Sequence, residues 1–207
     1  MKNFFFAVLF LVACFSLQAQ EQGRVRFAGN IGYCMPTLGA GMSIDLLDVR
    51  YNILDNLNVG VKLGGAFMVR DMSGLSSTTA SATMHVNSNV MLVGDYYFHK
   101  GRSIFAPFVG TGLGSFSIYD INMQVDPSQS VSYTYSELPL SARTVGAAIR
   151  GGFELGRLRL AMEYYMIPRT KMYDAADIMQ VVGTSANSYL TINLGFYFGG
   201  GRWRRKI

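Results

Sequence analysis

Charge is what this sequence has little of. Asp, Glu, Lys and Arg make up 15% of its 207 residues, against roughly 25% in ordinary soluble domains. A soluble globule solvates its surface with charge. A chain this poor in charge, and 50% hydrophobic, needs another solvent over part of its surface. That solvent is not reached by helices, because no stretch after residue 20 holds 18 apolar residues without a polar interruption. Cysteine is scarce too, with only Cys14 and Cys34. Cys14 falls in a segment expected to be removed, so Cys34 is read as a small strand residue and not as half of a disulfide. The histidines are His85 and His99. No Cys/His/Asp spacing suits a metal, and no cofactor is expected. The net charge of +5 is dispersed along the chain. Nucleic-acid binding wants a concentrated basic face, so that class of partner is excluded.

What is present begins with an export signal. Met1-Lys2-Asn3 is a cationic start, Phe4 to Cys14 an unbroken apolar run, and Phe15-Ser16-Leu17-Gln18-Ala19-Gln20 a segment with a small residue near the cut. This is the layout of a secretory signal over residues 1–20, with cleavage expected after Ala19 or Gln20. Leu11-Val12-Ala13-Cys14 resembles a lipobox. Its use would lipidate Cys14, but it would also leave a very short apolar region when a better cut site follows.

Residues 24–198 alternate with a period of two, the signature of half-buried strands. Val25, Phe27, Ile31, Tyr33 and Met35 share one face, opposite Arg24, Arg26, Ala28, Asn30 and Gly32. Five more segments repeat the split. They are 58–70, with Lys62 and Arg70 on the polar side; 84–98, with His85, Asn87, Asn89 and Asp95; 144–155, with Arg150 and Glu154; 158–167, with Arg159 and Glu163; and 189–198, with Thr191, Asn193 and Tyr197. In 42–53 the apolar parity switches between Leu46 and Leu47, which predicts a β-bulge. The segment 103–119 is rich in Gly and its facing is ambiguous. The total is eight strands.

Alternation fits a soluble barrel as well as a membrane one. The polar face decides between them. It is rich in Gly, Ala, Ser, Thr, Asn and Tyr, with a few charges of both signs, which suits a narrow interior. The apolar face carries aromatics near strand ends, as interfacial girdles do. Connections alternate as well. The turns at 54–57, 99–102 and 156–157 are short, whereas the stretches 71–82, 120–142 and 168–187 read as long polar loops; the first outer connection, 36–41, is short. Short inner turns and longer outer loops are the habit of outer-membrane barrels. The expected fold is therefore a closed, antiparallel, up-and-down transmembrane β-barrel of about eight strands over residues 21–198, followed by a basic tail, 199–207.

Three segments bring the chain close to a known family. They are Tyr51-Asn52-Ile53-Leu54-Asp55-Asn56-Leu57-Asn58-Val59-Gly60, Pro107-Phe108-Val109-Gly110-Thr111-Gly112-Leu113-Gly114 and Tyr189-Leu190-Thr191-Ile192-Asn193-Leu194-Gly195-Phe196-Tyr197-Phe198. With these the chain resembles the outer-membrane β-barrel domain family, the small porin-like barrels of the OmpA/OmpX type. The resemblance implies the outer membrane of a Gram-negative cell, lipid and lipopolysaccharide as surroundings, and insertion by the outer-membrane assembly machinery. It also implies that Tyr189, Gly195, Phe196 and Phe198 form the last-strand signal which that machinery reads. The chain departs from the family at Gly199 to Ile207, since many members stop at the terminal aromatic.

Few residues are left to carry chemistry. A barrel lipid A deacylase uses a His and a Ser, but alternation puts His85 inside and Ser88 outside, so they cannot form a nucleophile–base pair. No enzyme is expected. Gly110, Gly112 and Gly114 lie within a strand, which does not make a phosphate loop. Arg26, Lys62, Arg70, Asp95, Arg150, Glu154, Arg159 and Glu163 are the expected lumen charge network. Arg150 and Glu154 on one strand should pair with Arg159 and Glu163 on the next, because unpaired interior charge is costly. Read structurally the network is a plug; read as a pore it is a selectivity filter. Eight strands leave room for side chains and little more. The expected role is structural or surface-interacting, with Tyr119, Tyr133, Tyr135 and Tyr173 in the outer loops. A narrow channel for ions or small solutes is the alternative, ahead of a lipid-modifying enzyme or a soluble ligand-binding barrel. The basic tail is solvated, or it touches the inner leaflet or the cell wall.

Overall fold

Each segment with a period of two hydrogen-bonds to the next in sequence, and the last returns to the first. The strands are β1 (Val25–Pro36), β2 (Ala40–Leu54), β3 (Leu57–Ser73), β4 (Ala80–Tyr97), β5 (Phe105–Val125), β6 (Leu140–Leu155), β7 (Leu158–Met166), β8 (Thr170–Tyr173), β9 (Val181–Ser185) and β10 (Tyr189–Gly199). The ring runs β1-β10-β7-β6-β5-β4-β3-β2 and is closed, with every pairing antiparallel. The remaining β8 and β9 pair only with each other. In this computed structural model the described residues are 22–36, 39–73, 80–98, 105–125, 140–173, 181–185 and 187–200. Of these, 70–73, 80–83, 120–125, 140–142, 171–173 and 181–185 are described by their backbone alone.

Closure removes the open sheet edges that cannot exist in hydrocarbon. Two tight turns, Asp55-Asn56 and Gly156-Arg157, lie at the same end as Arg24 and Gly200; this is the near end. Gly156 has φ +63°, a left-handed conformation that costs glycine nothing. The walls differ in height. β7 has 9 residues and β10 has 11, while β5 has 21. Nine to eleven tilted residues is the length that would cross a bilayer core; the short walls match it and the β5 side exceeds it.

That rise changes the reading of the loops. The stretches 71–82, 120–142 and 168–187 are not loops throughout. β3 runs to Ser73, β4 starts at Ala80, β5 ends at Val125, β6 starts at Leu140, and the third stretch carries the β8–β9 hairpin. In these extensions the period of two fades from the sequence although the backbone ladder continues. The turn at 99–102, with His99, lies outside the described residues, as do 1–20, 201–207, Tyr133 and Tyr135.

The bulge stands where the parity switches. On β3, Gly64 pairs with Asp45 and Leu63 with Leu47; on β1, Asn30 pairs with Asp45 and Ala28 with Asp48. Leu46 is thus the extra residue, and Leu46 and Leu47 both face outward, 76% and 40% exposed. The facing of β5 is also settled. Phe108, Phe116 and Ile118 point inward and Val109 and Leu113 outward, so apolar residues on both faces had hidden the pattern.

The outside is apolar. Val90, Leu92, Leu113, Val145, Ile149, Met162 and Leu194 are each more than half exposed. At the near end Phe27, Tyr51, Tyr96, Phe98, Phe105, Phe196 and Phe198 form an outer belt, and Tyr33, Phe67 and Tyr164 mark a sparser one toward the far end. Near-end rings touch in pairs, with centroids 5.1 Å apart for Tyr96 and Phe98 and 5.0 Å for Phe196 and Phe198. The core lies inside the barrel. One apolar cluster, including Cys34, Ala66, Met68, Phe116, Ile118 and Tyr189, fills the far half, and a smaller one, Tyr97, Ala106, Phe108 and Ala161, lies at the near end.

Deleting Leu46 would shift one half of β2 by a residue and turn either Ser43 and Asp45 or Asp48, Arg50 and Asn52 to the outside. Were that outer face in lipid, an Arg turned onto its middle would cost about 2–4 kcal/mol. The deletion variant is expected to lose the compact, heat-modifiable band on unboiled gels. A wild-type band would show that the bulge does not set the register.

Candidate functional site: an ion-pair network in the lumen

Between the two apolar clusters the lumen is charged. Arg26, Arg50, Lys62, Arg150 and Arg159 face Asp45, Asp48, Asp95, Glu154 and Glu163, five of each sign and all buried. The strand period alone puts them there, since each lies on the inward parity of its strand.

Asp95 on β4 is the centre. The Arg50 guanidinium donates to its Oδ2 through Nη1. Arg159 Nη2 donates to the same oxygen at 2.8 Å, and Arg150 Nη2 does so at 3.2 Å. Arg150 Nε lies 3.0 Å from Oδ1. Arg50 also grips Asp48 through two parallel bonds, 2.6 Å and 2.8 Å, a fork that only a guanidinium offers. Asp95 fits because the facing residue on β5 is Gly110, where a Cβ would strike its carboxylate. Gly64 clears the same space for Asp45.

Two further groups attach to this centre. Lys62 Nζ donates to Glu163 and to the Tyr165 hydroxyl, both at 2.6 Å, and to Asp45 at 3.2 Å. The Tyr165 hydroxyl donates to Glu163 at 2.7 Å, and Asn30 Nδ2 donates to Asp45 at 3.0 Å. Arg150 lies 3.6 Å from Glu163, which links this group to Asp95. Toward the near end Arg26 donates to Glu154 at 2.8 Å, and the Tyr97 hydroxyl donates to the other Glu154 oxygen at 2.7 Å. Arg26 stacks over Tyr197 at 4.1 Å and Arg159 over Phe108 at 3.8 Å, so aromatic faces take up the cationic surface that the carboxylates leave.

Of the residues expected in the lumen, Arg26, Lys62, Asp95, Arg150, Glu154, Arg159 and Glu163 share this interior. The side chain of Arg70 lies outside the described residues. The partners differ in part from the expected cross-strand pairs. Arg150 and Glu163 are register partners and do approach. Glu154 and Arg159 are also register partners, yet Glu154 turns to Arg26 and Arg159 to Asp95. A lumen side chain reaches across as easily as sideways, and register alone does not see across.

Sequence reading missed Asp45, Asp48 and Arg50. The signal was available, because once the bulge is placed all three oppose the apolar parity of their half of β2. On β10, Tyr189 and Gly195 face inward, whereas Phe196 and Phe198 face outward. His85 is buried in the lumen and Ser88 is exposed outside, so the two side chains lie on opposite faces of the wall.

The chain is similar to the outer membrane protein OprG from Pseudomonas aeruginosa, at 14% identity over 88% of this chain and 99% of that one, with a TM-score of 0.48. It is similar to the N-terminal β-barrel domain of Pseudomonas aeruginosa OprF, at 14% identity over 87% and 99%, TM-score 0.41. Neisserial surface protein A matches at 12% identity over 85% and 96%, TM-score 0.45. No protein-family model and no curated protein matches the chain. Which way the two faces of this barrel point is read from its own side chains.

Replacing Asp95 by Asn should leave three buried guanidinium groups short of a counter-charge and cost about 3–5 kcal/mol. Urea unfolding of the micelle-bound protein measures this; a loss under 1 kcal/mol would mean that Asp95 is not the centre. Asn87 makes the opposite case. It is 1% exposed, and neither its amide oxygen nor its nitrogen has a hydrogen-bond partner among the described residues. Asn87→Leu should therefore be neutral or stabilising, by up to about 3 kcal/mol, in the same assay.

Proposed function

We propose that this chain is an integral outer-membrane barrel with a structural or surface-interaction role and a lumen closed by its own side chains. One observation carries the reading: among the described residues, five acidic and five basic side chains are packed inside the barrel in contact with one another, while large apolar side chains cover its outside. A soluble ligand-binding barrel has the reverse arrangement. A conducting pore needs a wetted path, and at mid-lumen Asp48, Arg50, Asn58 and Asp95 have no exposed surface. Salt bridges that neutralise one another hold no net charge for selecting ions.

In this reading residues 1–20 direct export and the near end faces the periplasm. The belt residues contact lipid, and lipopolysaccharide surrounds the far end. Tyr189, Gly195, Phe196 and Phe198 serve the assembly machinery as the last-strand signal. The tall β3–β6 wall rises beyond the membrane, where partners would meet it.

Two measurements test this. The mature chain, 21–207, should fold into micelles as a heat-modifiable species with a β-type circular dichroism spectrum; a chain that stays folded and soluble without detergent would overturn the membrane reading. In planar bilayers the folded protein should give no steady conductance steps. Regular steps that scale with salt would replace the closed barrel by the narrow-channel reading.

A further inference from the structure

The outer wall carries almost no charge. Among the residues with described side chains, every acid except Asp55, in the near-end turn, is buried in the lumen. Of the bases outside the lumen, Arg24 and Arg157 lie at the near end. The other two, Arg143 and Arg169, lie at the far end, and both are exposed. Arg143 has the parity of Val145 and Ile149, so it points away from the lumen. Among the described residues no acid lies where it could pair with either arginine.

The two stand at one level. The β6–β7 ladder ends at the pair Ala147–Met166. Arg143 lies four residues beyond that pair on β6, and Arg169 three residues beyond it on the chain leaving β7. At about 3.3 Å per residue both rise to a similar height above the same point of the wall. Arg169 is also fixed in place. Pro168 has no N–H with which to continue the ladder, and two side chains ahead of β10 pin the backbone instead. Buried Asn187 donates through Nδ2 to the Pro168 carbonyl at 2.8 Å and to the Thr170 hydroxyl at 3.0 Å. The Ser188 hydroxyl accepts from the Ile167 N–H and donates to the Ile167 carbonyl, both at 3.2 Å. Arg169 is thus presented between the two residues that Asn187 grips.

This level is where the apolar wall ends. Ser88, Ser117 and Arg143 form one register row across β4, β5 and β6, all on the outward parity. Toward the middle of the wall from the two arginines, the outward side chains are Val145, Ile149, Met162, Tyr164 and Met166, from 39% to 70% exposed. We propose that Arg143 and Arg169 form a binding site for the phosphate of one outer-leaflet lipid, whose acyl chains lie on Val145, Ile149, Met162 and Met166. Two guanidinium forks at one height suit a phosphate, which offers acceptor oxygens to both. The apolar wall by itself would take any acyl chain; the arginines select the phosphorylated headgroup.

The inference rests on the membrane-spanning reading with the far end outward, and the test separates the two. The mature chain in mild detergent is given equal amounts of diphosphorylated lipid A and the same lipid stripped of its phosphates, and retained lipid is counted by native mass spectrometry. The phosphorylated form should be kept at least tenfold better. Arg143→Gln combined with Arg169→Gln should abolish that preference, while Arg24→Gln, at the near end, should leave it intact. Every variant must show the heat-modifiable band, which establishes that it is folded. An absent preference in the wild-type chain overturns the site. So does an unchanged preference in the double variant, because other cations of the chain would then hold the phosphate. An equal loss in Arg24→Gln overturns it as well, since bulk charge would then suffice. Displacement of the lipid by millimolar inorganic phosphate would make this a free-anion site and overturn the lipid assignment. Failure of the wild-type chain to fold in detergent would instead overturn the membrane reading.

Discussion

One carboxylate, Asp95, shared by three guanidinium groups in a space without exposed surface, sets the terms for the rest of this molecule. Charges buried so deeply are tolerable only when each has a counter-charge and further hydrogen bonds. The lumen supplies these by recruiting acids and bases from β1, β2, β3, β4, β6 and β7. None of these six strands can shift register without pulling a member out of the network. The glycines follow from the same demand, since Gly110 and Gly64 exist to let Asp95 and Asp45 lie flat against the neighbouring strand.

The outside imposes a constraint of a different kind. On the proposed reading the outside meets hydrocarbon, which cannot solvate a free backbone group and so requires a closed sheet, and which rewards any large apolar side chain without regard to detail. Outer positions are therefore interchangeable in a way inner ones are not. This explains why the outer face looks like a monotonous run of Val, Leu, Ile, Met and Phe, while the inner face holds residues that differ from strand to strand.

Buried ion pairs add little net stability compared with well-packed apolar residues. The apolar clusters at the two ends supply the ordinary packing, and the charged middle supplies selectivity for one arrangement. Asp48, Arg50 and Asp95 would be worse in any other register, whereas Ala66, Met68 and Ile118 would tolerate several. Asn87 fits neither category: it is a polar residue in the apolar half, with neither polar atom paired among the described residues.

The eight strands, the bulge at Leu46 and the inward direction of Arg26, Lys62, Asp95, Arg150, Glu154, Arg159 and Glu163 could be read from the sequence. The reason is local: each strand crosses between two different solvents, so every residue records its side by its polarity. Where that contrast ends, reading fails. The extended ends of β3 to β6 carried no signal, and β5 was ambiguous because both of its faces are apolar. Partner choice was not legible at all. Glu154 binds Arg26 from the far side of the ring, 128 residues away in sequence, in preference to its register neighbour Arg159. Sequence determined which face each side chain takes, because that depends on a period of two and on solvent. Only the closed barrel decided which charge meets which, because closure alone brings opposite walls within hydrogen-bonding distance.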